Sequence, residues 1–221
     1  MLASLRSGSG DRVHQSFVLL QHLRQLESLG VEGNEELVKT QKGMFFISLY
    51  ASLEFTLTNA VADFLSELQK SAQEPSRYRI GLLPTILNRE FNAVAGSSRR
   101  TNWNHRRSLF ERFISSNPCT IDNDVFPAES TNISADHFQA IWSQLEIPGN
   151  AMPPGVNPWT INEIKEHRNA VAHGREKAVT IGSRFTLTAL EDRHRAVEAI
   201  CAHTVLSFEE HLAKKTFLAV P

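Results

Sequence analysis

One long helical pattern constrains the fold of this chain more than any other feature of its sequence. Large apolar residues recur from Asn34 to Pro75 over most of the circumference of a helix, which would be about 50 Å long for about 35 residues. Ser48, Ser52 and Glu54 interrupt the apolar surface, so the segment lacks the continuous apolar length of a membrane span. We therefore predict a central helix that is buried in the protein or shared with a second subunit.

Three further segments carry helical periodicity. They are Asp11–Leu29, 160–173 and 188–211. Capping boxes at Thr160 and Thr188 predict the starts of the last two helices. Between these helices, two β-favouring stretches flank Gly182 and Ser183, which predicts a small β-hairpin. The expected fold is all-α, a four-helix up-down bundle with this hairpin before its last helix.

The stretch between helices two and three is longer than a bundle connection needs. We predict that residues 71–158 form a long insertion, mainly of short helices and loops, within a single domain that covers residues 1–221. Candidate helices in it are Ile80–Leu87, Arg106–Ile114 and Ala135–Leu145. The polar, aperiodic segment 96–105 is expected to be a loop.

Charge is segregated within this insertion. Residues 71–107 contain seven arginines against two glutamates, whereas residues 108–150 contain one arginine against six acidic residues. An aromatic ring such as Trp103 can stack a base while arginines bind phosphates. A candidate RNA-binding surface therefore comprises Arg99, Arg100, Trp103, Arg106 and Arg107. The alternative is a solvated loop with one buried tryptophan.

The strongest chemical signal is the run Glu166-His167-Arg168-Asn169-Ala170-Val171-Ala172-His173-Gly174. Arg168 is a permanent cation, and His173 is a side chain that exchanges protons near neutral pH. Gly174 supplies a left-handed stop, so both residues belong to the final turns of a predicted helix. Asn169 and His173 are four residues apart and share a face of that helix, while Arg168 reaches the same cleft with its long side chain.

An arginine and a histidine at this spacing also arise by chance. Arg99 and Arg100 stand at comparable distances from His105, but a loop holds two groups in register poorly. Arg168 and His173 can also be a cation pair that complements the helix dipole without any catalytic role.

The motif resembles that of the HEPN superfamily, particularly its RiboL-PSP-like and related bacterial toxin branches. The resemblance rests on Arg168-Asn169, three residues, then His173-Gly174, and on Tyr50-Ala51-Ser52-Leu53-Glu54 in the long apolar helix. It covers roughly residues 11–70 and 158–213. It implies an all-α bundle, in many members a metal-independent ribonuclease from toxin-antitoxin or other defence systems. It also implies a homodimer in which two such motifs face one another.

The resemblance leads us to expect an endoribonuclease that uses no metal or cofactor and cleaves RNA by attack of the 2′-hydroxyl. His173 would exchange the proton, Arg168 would bind the scissile phosphate, and Asn169 would orient His173 or donate to phosphate. Glu54 would hold Arg168 by a buried ion pair, or would be a structural carboxylate satisfied elsewhere. The alternative is a non-catalytic HEPN module that binds RNA, an antitoxin or nucleotidyltransferase-type partner protein, or a second copy.

Composition adds coarse bounds. The net charge is −1 and the pI about 6.8, so overall charge does not indicate a nucleic-acid binder. The two cysteines, Cys119 and Cys201, give neither a disulfide framework nor zinc-site spacing. The amino terminus lacks a signal-peptide core. We therefore expect a cytoplasmic protein with no membrane partner.

Overall fold

The computed structural model describes residues 2–29, 34–121 and 132–219, and it confirms an all-α protein. Nine α-helices occur in these ranges: α1 (Ala3–Leu29), α2 (Glu35–Ser71), α3 (Leu83–Ile86), α4 (Asn88–Ala95), α5 (Asn102–Phe113), α6 (Ala135–Gln144), α7 (Trp159–Ala172), α8 (Ala178–Gly182) and α9 (Leu187–Ala213). Two 3-10 helices cover Pro75–Arg77 and Ile80–Leu82. An isolated antiparallel bridge joins Tyr78 to Leu218. A simple four-helix up-down bundle is therefore not supported.

The predicted central helix is α2, which packs against α1, α7, α8 and α9. Most of its large apolar side chains are buried, and Phe45, Phe46, Leu53 and Phe64 have no solvent exposure. By length and composition alone α2 would suffice to cross a membrane, and 56% of its most apolar 18-residue stretch is buried against the rest of the protein. Such burial is what the core helix of a bundle shows.

The first helix, α1, begins at Ala3, eight residues before the predicted start at Asp11. The glycine and serine residues in this stretch hide the helical pattern in the sequence. Leu5 is buried, and the Ser9 hydroxyl lies 2.7 Å from the Thr56 hydroxyl of α2. The small glycine and serine side chains of this stretch therefore allow α1 and α2 to pack closely.

The β-hairpin predicted around Gly182 is wrong, because Ala178–Gly182 forms α8. This helix packs on the first turns of α2. A Cβ atom on Gly43 would overlap the carbonyl oxygen of Ala178, and a Cβ atom on Gly182 would overlap that of Lys39. Gly182 therefore allows two backbones to approach closely, whereas the hairpin prediction took it for a turn residue.

Helices α7 and α9 start close to their predicted positions but with different caps. The side-chain oxygen of Asn157 accepts a hydrogen bond from the first backbone amide of α7, at 3.0 Å. The Thr186 hydroxyl accepts one from the third residue of α9, at 3.1 Å. The capping boxes predicted at Thr160 and Thr188 are therefore wrong, since both residues already lie inside the helices.

Between α2 and α7 the described residues, 72–121 and 132–158, form the four short helices α3 to α6. Helix α6 agrees with the predicted helix Ala135–Leu145, and Phe138 and Ile141 join it to the core. Helix α5 begins at Asn102, so the loop predicted for 96–105 is wrong in its last four residues. Helices α4 and α5 pack together, and neither has a buried residue. The division into bundle and insertion stays a prediction.

Candidate active site at the carboxyl end of α7

The end of α7 is fixed by buried side chains and by backbone hydrogen bonds. Ile161, Ile164 and Ala170 bury one side of the helix. Gly174 follows with φ +66°, the left-handed conformation predicted for a helix stop. The amide of Glu176 then donates to the Ala170 carbonyl at 3.1 Å. The predicted helix and its end are therefore confirmed.

Arg168 is half-buried and held from three directions. Its guanidinium carbon lies 4.5 Å from the centroid of the Tyr50 ring. Its Nη1 donates to Oδ1 of Asn169 at 2.9 Å and to Oδ1 of Asn132 at 3.2 Å. Both hydrogen bonds use Nη1, so Nε and Nη2 make none with the described residues. An arginine has three N–H groups on these two nitrogens, in the fork that matches a phosphate.

Tyr50 connects the arginine to the core. Its side chain is 1% exposed, and its phenol oxygen accepts a hydrogen bond from the Ile133 amide at 2.6 Å. Burial raises the pKa of the Tyr50 phenol, and the nearby Glu54 carboxylate raises it further. The phenol therefore stays neutral, and its ring is a fixed platform for the guanidinium.

The segment before α6 completes this support. In addition to the Ile133 contact, the Ala135 amide donates to Oδ1 of Asn162 in α7 at 3.1 Å. Asn132, which binds Arg168, lies 36 residues before it in the sequence. Tyr50 entered the sequence analysis only within the run that carries the family resemblance, and Asn132 was not named, so neither was predicted to hold Arg168. A tyrosine in an otherwise apolar helix indicates a buried hydroxyl with a specific partner, and this pattern could have identified Tyr50. The residues around Asn132 contain no comparable sequence signal.

His173 is the residue directly after α7 and is exposed to solvent. Its backbone amide donates to the Asn169 carbonyl at 3.0 Å, while its imidazole makes no hydrogen bond with the part of the chain that the structure describes. Asn169 itself is only 6% exposed. Its side-chain oxygen holds Arg168, so the structure gives no contact by which it would orient the His173 ring.

Glu54 lies one helical turn after Tyr50 in α2 and is half-buried. The ion pair predicted between Glu54 and Arg168 is not formed, since these two residues do not come within salt-bridge distance. Arg168 has neutral partners instead: two side-chain amides and an aromatic ring. Its positive charge is therefore not neutralised by a carboxylate of the described residues, which favours the binding of an anion.

His167 belongs to the packing beside this site. Its ring lies 4.7 Å from that of Phe46 and 5.2 Å from that of Phe185, measured between centroids. Burial lowers the pKa of His167. These contacts indicate a neutral ring that packs α7 against α2.

The candidate RNA-binding residues lie elsewhere, on α5 and on the turn before it. Helix α5 contacts Pro75–Arg77, directly after α2, whereas Arg168 contacts Tyr50. Tyr50 and Ser71 at the end of α2 are separated by 21 residues, or about 30 Å of helix. Trp103 is 73% exposed, so the alternative of a loop with a buried tryptophan is wrong.

Across residues 2–29, 34–121 and 132–219, no three side chains of His, Cys, Asp or Glu are grouped as metal ligands. The two groups available for chemistry at the end of α7 are the guanidinium of Arg168 and the imidazole of His173. Chemically, such a pair can bind a phosphate and exchange a proton.

The sequence model of the RiboL-PSP-HEPN family matches residues 15–210 of this chain. The match includes α2 and the whole of α7, with Arg168, Asn169 and His173. No curated protein and no solved structure matches the chain.

Proposed function

Because the chain belongs to the RiboL-PSP-HEPN family, we propose that it is a metal-independent endoribonuclease. We further propose that it acts as the toxin or defence effector of a toxin-antitoxin type system. The observation that carries the proposal is the guanidinium of Arg168, held over Tyr50, with Nε and Nη2 making no hydrogen bond to the described residues. The exposed imidazole of His173 lies five residues further on, just past the end of the same helix.

Arg168 binds the scissile phosphate in this mechanism. Its N–H groups on Nε and Nη2 donate to the non-bridging oxygens, whose charge increases in the transition state. The carbonyl end of the α7 dipole repels a phosphate. A fixed cation is therefore needed at this end of the helix, and Arg168 supplies it.

His173 moves the proton. As a general base it removes the proton of the ribose 2′-hydroxyl, and the 2′-oxygen attacks phosphorus while the bond to the 5′-oxygen breaks. The leaving 5′-oxygen takes a proton from a second imidazole. The products are a 2′,3′-cyclic phosphate and a 5′-hydroxyl. One chain has one His173, so we propose that a second copy faces the first and supplies the acid.

Incubation of the purified protein with RNA in the presence of EDTA tests this proposal. We expect cleavage to fragments with 2′,3′-cyclic phosphate ends and no cleavage of a substrate with 2′-deoxyribose at the scissile position. His173→Ala should reduce the rate by about 10²-fold to 10⁴-fold, the usual contribution of a general acid or base. His22→Ala, at an exposed position of α1, is the matched control and should leave the rate unchanged.

A second candidate function is a non-catalytic HEPN module that binds RNA or a partner protein. The observation that favours it is the His173 imidazole, which no described side chain orients. Retention of RNA by the purified protein without cleavage, together with no toxicity on expression, would support this module over the ribonuclease. Cleavage that persists in both Arg168→Ala and His173→Ala would show that another site is responsible.

A further inference from the structure

We propose that the outer face of α5 is a binding platform for single-stranded nucleic acid. Bases stack on its aromatic rings, and neighbouring arginines bind the phosphates. This platform is separate from the end of α7, and it does not depend on whether the protein cleaves RNA.

Helix α5 has two unlike faces. Asn102, His105, Leu109 and Arg112 are half-buried and point towards the rest of the protein. On the opposite side Trp103 and Phe110, with Ile114 directly after the helix, follow one another at spacings of seven and four residues, which places them in one stripe. Their exposed fractions are 73%, 67% and 78%. Arg106 and Arg107 lie in the turn between Trp103 and Phe110, so the exposed apolar side chains alternate with arginines along this face.

Arginines border this stripe. The guanidinium carbon of Arg106 lies 5.0 Å from the centroid of the Trp103 ring. Arg107 forms an ion pair with Glu111 at 2.7 Å. Arg99 and Arg100, in the turn before α5, are exposed and form no ion pair with the described residues. Four arginines of α5 and of the turn before it therefore accompany the stripe, and Glu111 is the only carboxylate of α5.

This combination fits a single-stranded nucleic acid better than a protein. Aromatic faces stack bases of any sequence, and Arg beside a ring adds a cation–π contribution. Arginines match phosphates by bidentate hydrogen bonds. In a duplex the bases are already stacked, so their faces are not available to Trp103 and Phe110. The platform should therefore prefer single strands, and it should accept RNA and DNA alike because neither contact uses the 2′-hydroxyl.

Fluorescence anisotropy with a labelled 12-nucleotide oligouridylate tests the platform in the His173→Ala protein, in which cleavage is not expected. Trp103→Ala and Phe110→Ala should each weaken binding by about fivefold or more, as the loss of one stacked base does. Trp159→Ala removes an equally exposed tryptophan, at 72%, and should bind like the parent. Unchanged binding by both the Trp103→Ala and Phe110→Ala proteins would overturn the proposal.

The charge contribution has its own test. Arg106→Ala should weaken binding and reduce the slope of log Kd against log salt by about 0.7, the value for one phosphate contact to a single strand. Glu111→Gln should strengthen binding, because it removes the carboxylate that pairs with Arg107. Arg195→Ala gives the same loss of charge on α9 and should change neither quantity. Equal effects of Arg106→Ala and Arg195→Ala would argue against a localised site.

Competition experiments identify the ligand class. We expect oligodeoxythymidylate to compete as well as oligouridylate, and a duplex of the same length to compete at least about tenfold less well.

Tryptophan fluorescence observes stacking directly. In the Trp159→Phe protein, quenching of the fluorescence by added oligonucleotide reports on Trp103, because the remaining tryptophan, Trp142, is buried. Absence of quenching, or α5 variants that lose only a protein partner, would contradict nucleic-acid binding. Either result would leave the proposal for α7 untouched.

Discussion

The guanidinium of Arg168 lies over the ring of Tyr50, with 4.5 Å between the guanidinium carbon and the ring centroid. Arg168 belongs to α7 and Tyr50 to α2, so this contact fixes the distance of the guanidinium from the buried helix α2. Two amides, of Asn132 and Asn169, then set its rotation. The planar cation is therefore oriented before any ligand binds, and such preorganisation is what electrostatic catalysis requires.

Arg168→Lys should reduce RNA cleavage nearly as much as Arg168→Ala, by about 10²-fold to 10³-fold. A lysine ammonium keeps the charge but has neither the planar face that packs on Tyr50 nor the fork that matches a phosphate. The measurement is the single-turnover rate on a defined RNA. Arg195→Lys, at an exposed position, is the control. A nearly normal rate in Arg168→Lys would show that charge alone is sufficient.

Tyr50→Phe should destabilise the protein by about 1–3 kcal/mol, because the buried Ile133 amide loses the phenol oxygen that accepts its hydrogen bond. The ring remains under Arg168, so we expect a smaller effect on cleavage than for Tyr50→Ala. Urea denaturation measures the change in the free energy of unfolding. Tyr78→Phe is a useful comparison, since its hydroxyl makes longer contacts, at 3.2 and 3.4 Å. An equal loss in both variants would contradict the assigned role of the Tyr50 hydroxyl.

Gly182→Ala should cost about 3 kcal/mol or more, because its Cβ would overlap backbone atoms of α2 and the two helices would have to move apart. Gly10→Ala in α1 is the matched control, since nothing lies within 4 Å of the added Cβ. It should stabilise the protein by about 0.5–1 kcal/mol through the better helix propensity of alanine. Thermal and urea denaturation measure both changes. A neutral Gly182→Ala would contradict the close packing of α8 on α2.

His211 should make stability dependent on pH. Burial lowers the pKa of His211 to about 4, and its Nε2 donates to the Leu145 carbonyl at 3.0 Å in the neutral form. The unfolded chain takes up the proton near pH 6.5. Stability should therefore fall as the pH drops from about 6.5 to 4, by up to roughly 3 kcal/mol.

Urea denaturation at pH 7.5, 6, 5 and 4.5 measures this dependence. His211→Gln removes the titrating group, so its free energy of unfolding should fall less steeply over the same range, even though the variant is less stable at pH 7.5. Parallel curves for the two proteins would mean that His211 contributes nothing to the pH dependence.

The sequence predicted well those features that depend on neighbours along the chain. The all-α class and the central helix follow from a periodicity of 3.6 residues, and the end of α7 follows from Gly174. Glycine was also the main source of error. Gly182 suggested a turn, whereas Ala178–Gly182 is helical, and α1 begins eight residues before the predicted start at Asp11, in a stretch that contains Gly8 and Gly10. A missing Cβ permits a turn or a close contact, and sequence spacing does not distinguish the two.

The order of residues along the chain was sufficient to put Arg168, Asn169 and His173 at the end of one helix, because helix geometry is local. It did not reveal that Tyr50 and Asn132 hold the arginine, or that Glu54 does not. It also left open whether Trp103 was buried. Those relationships arise when distant segments pack together, since the packing decides which donor meets which acceptor and which helix face remains in water.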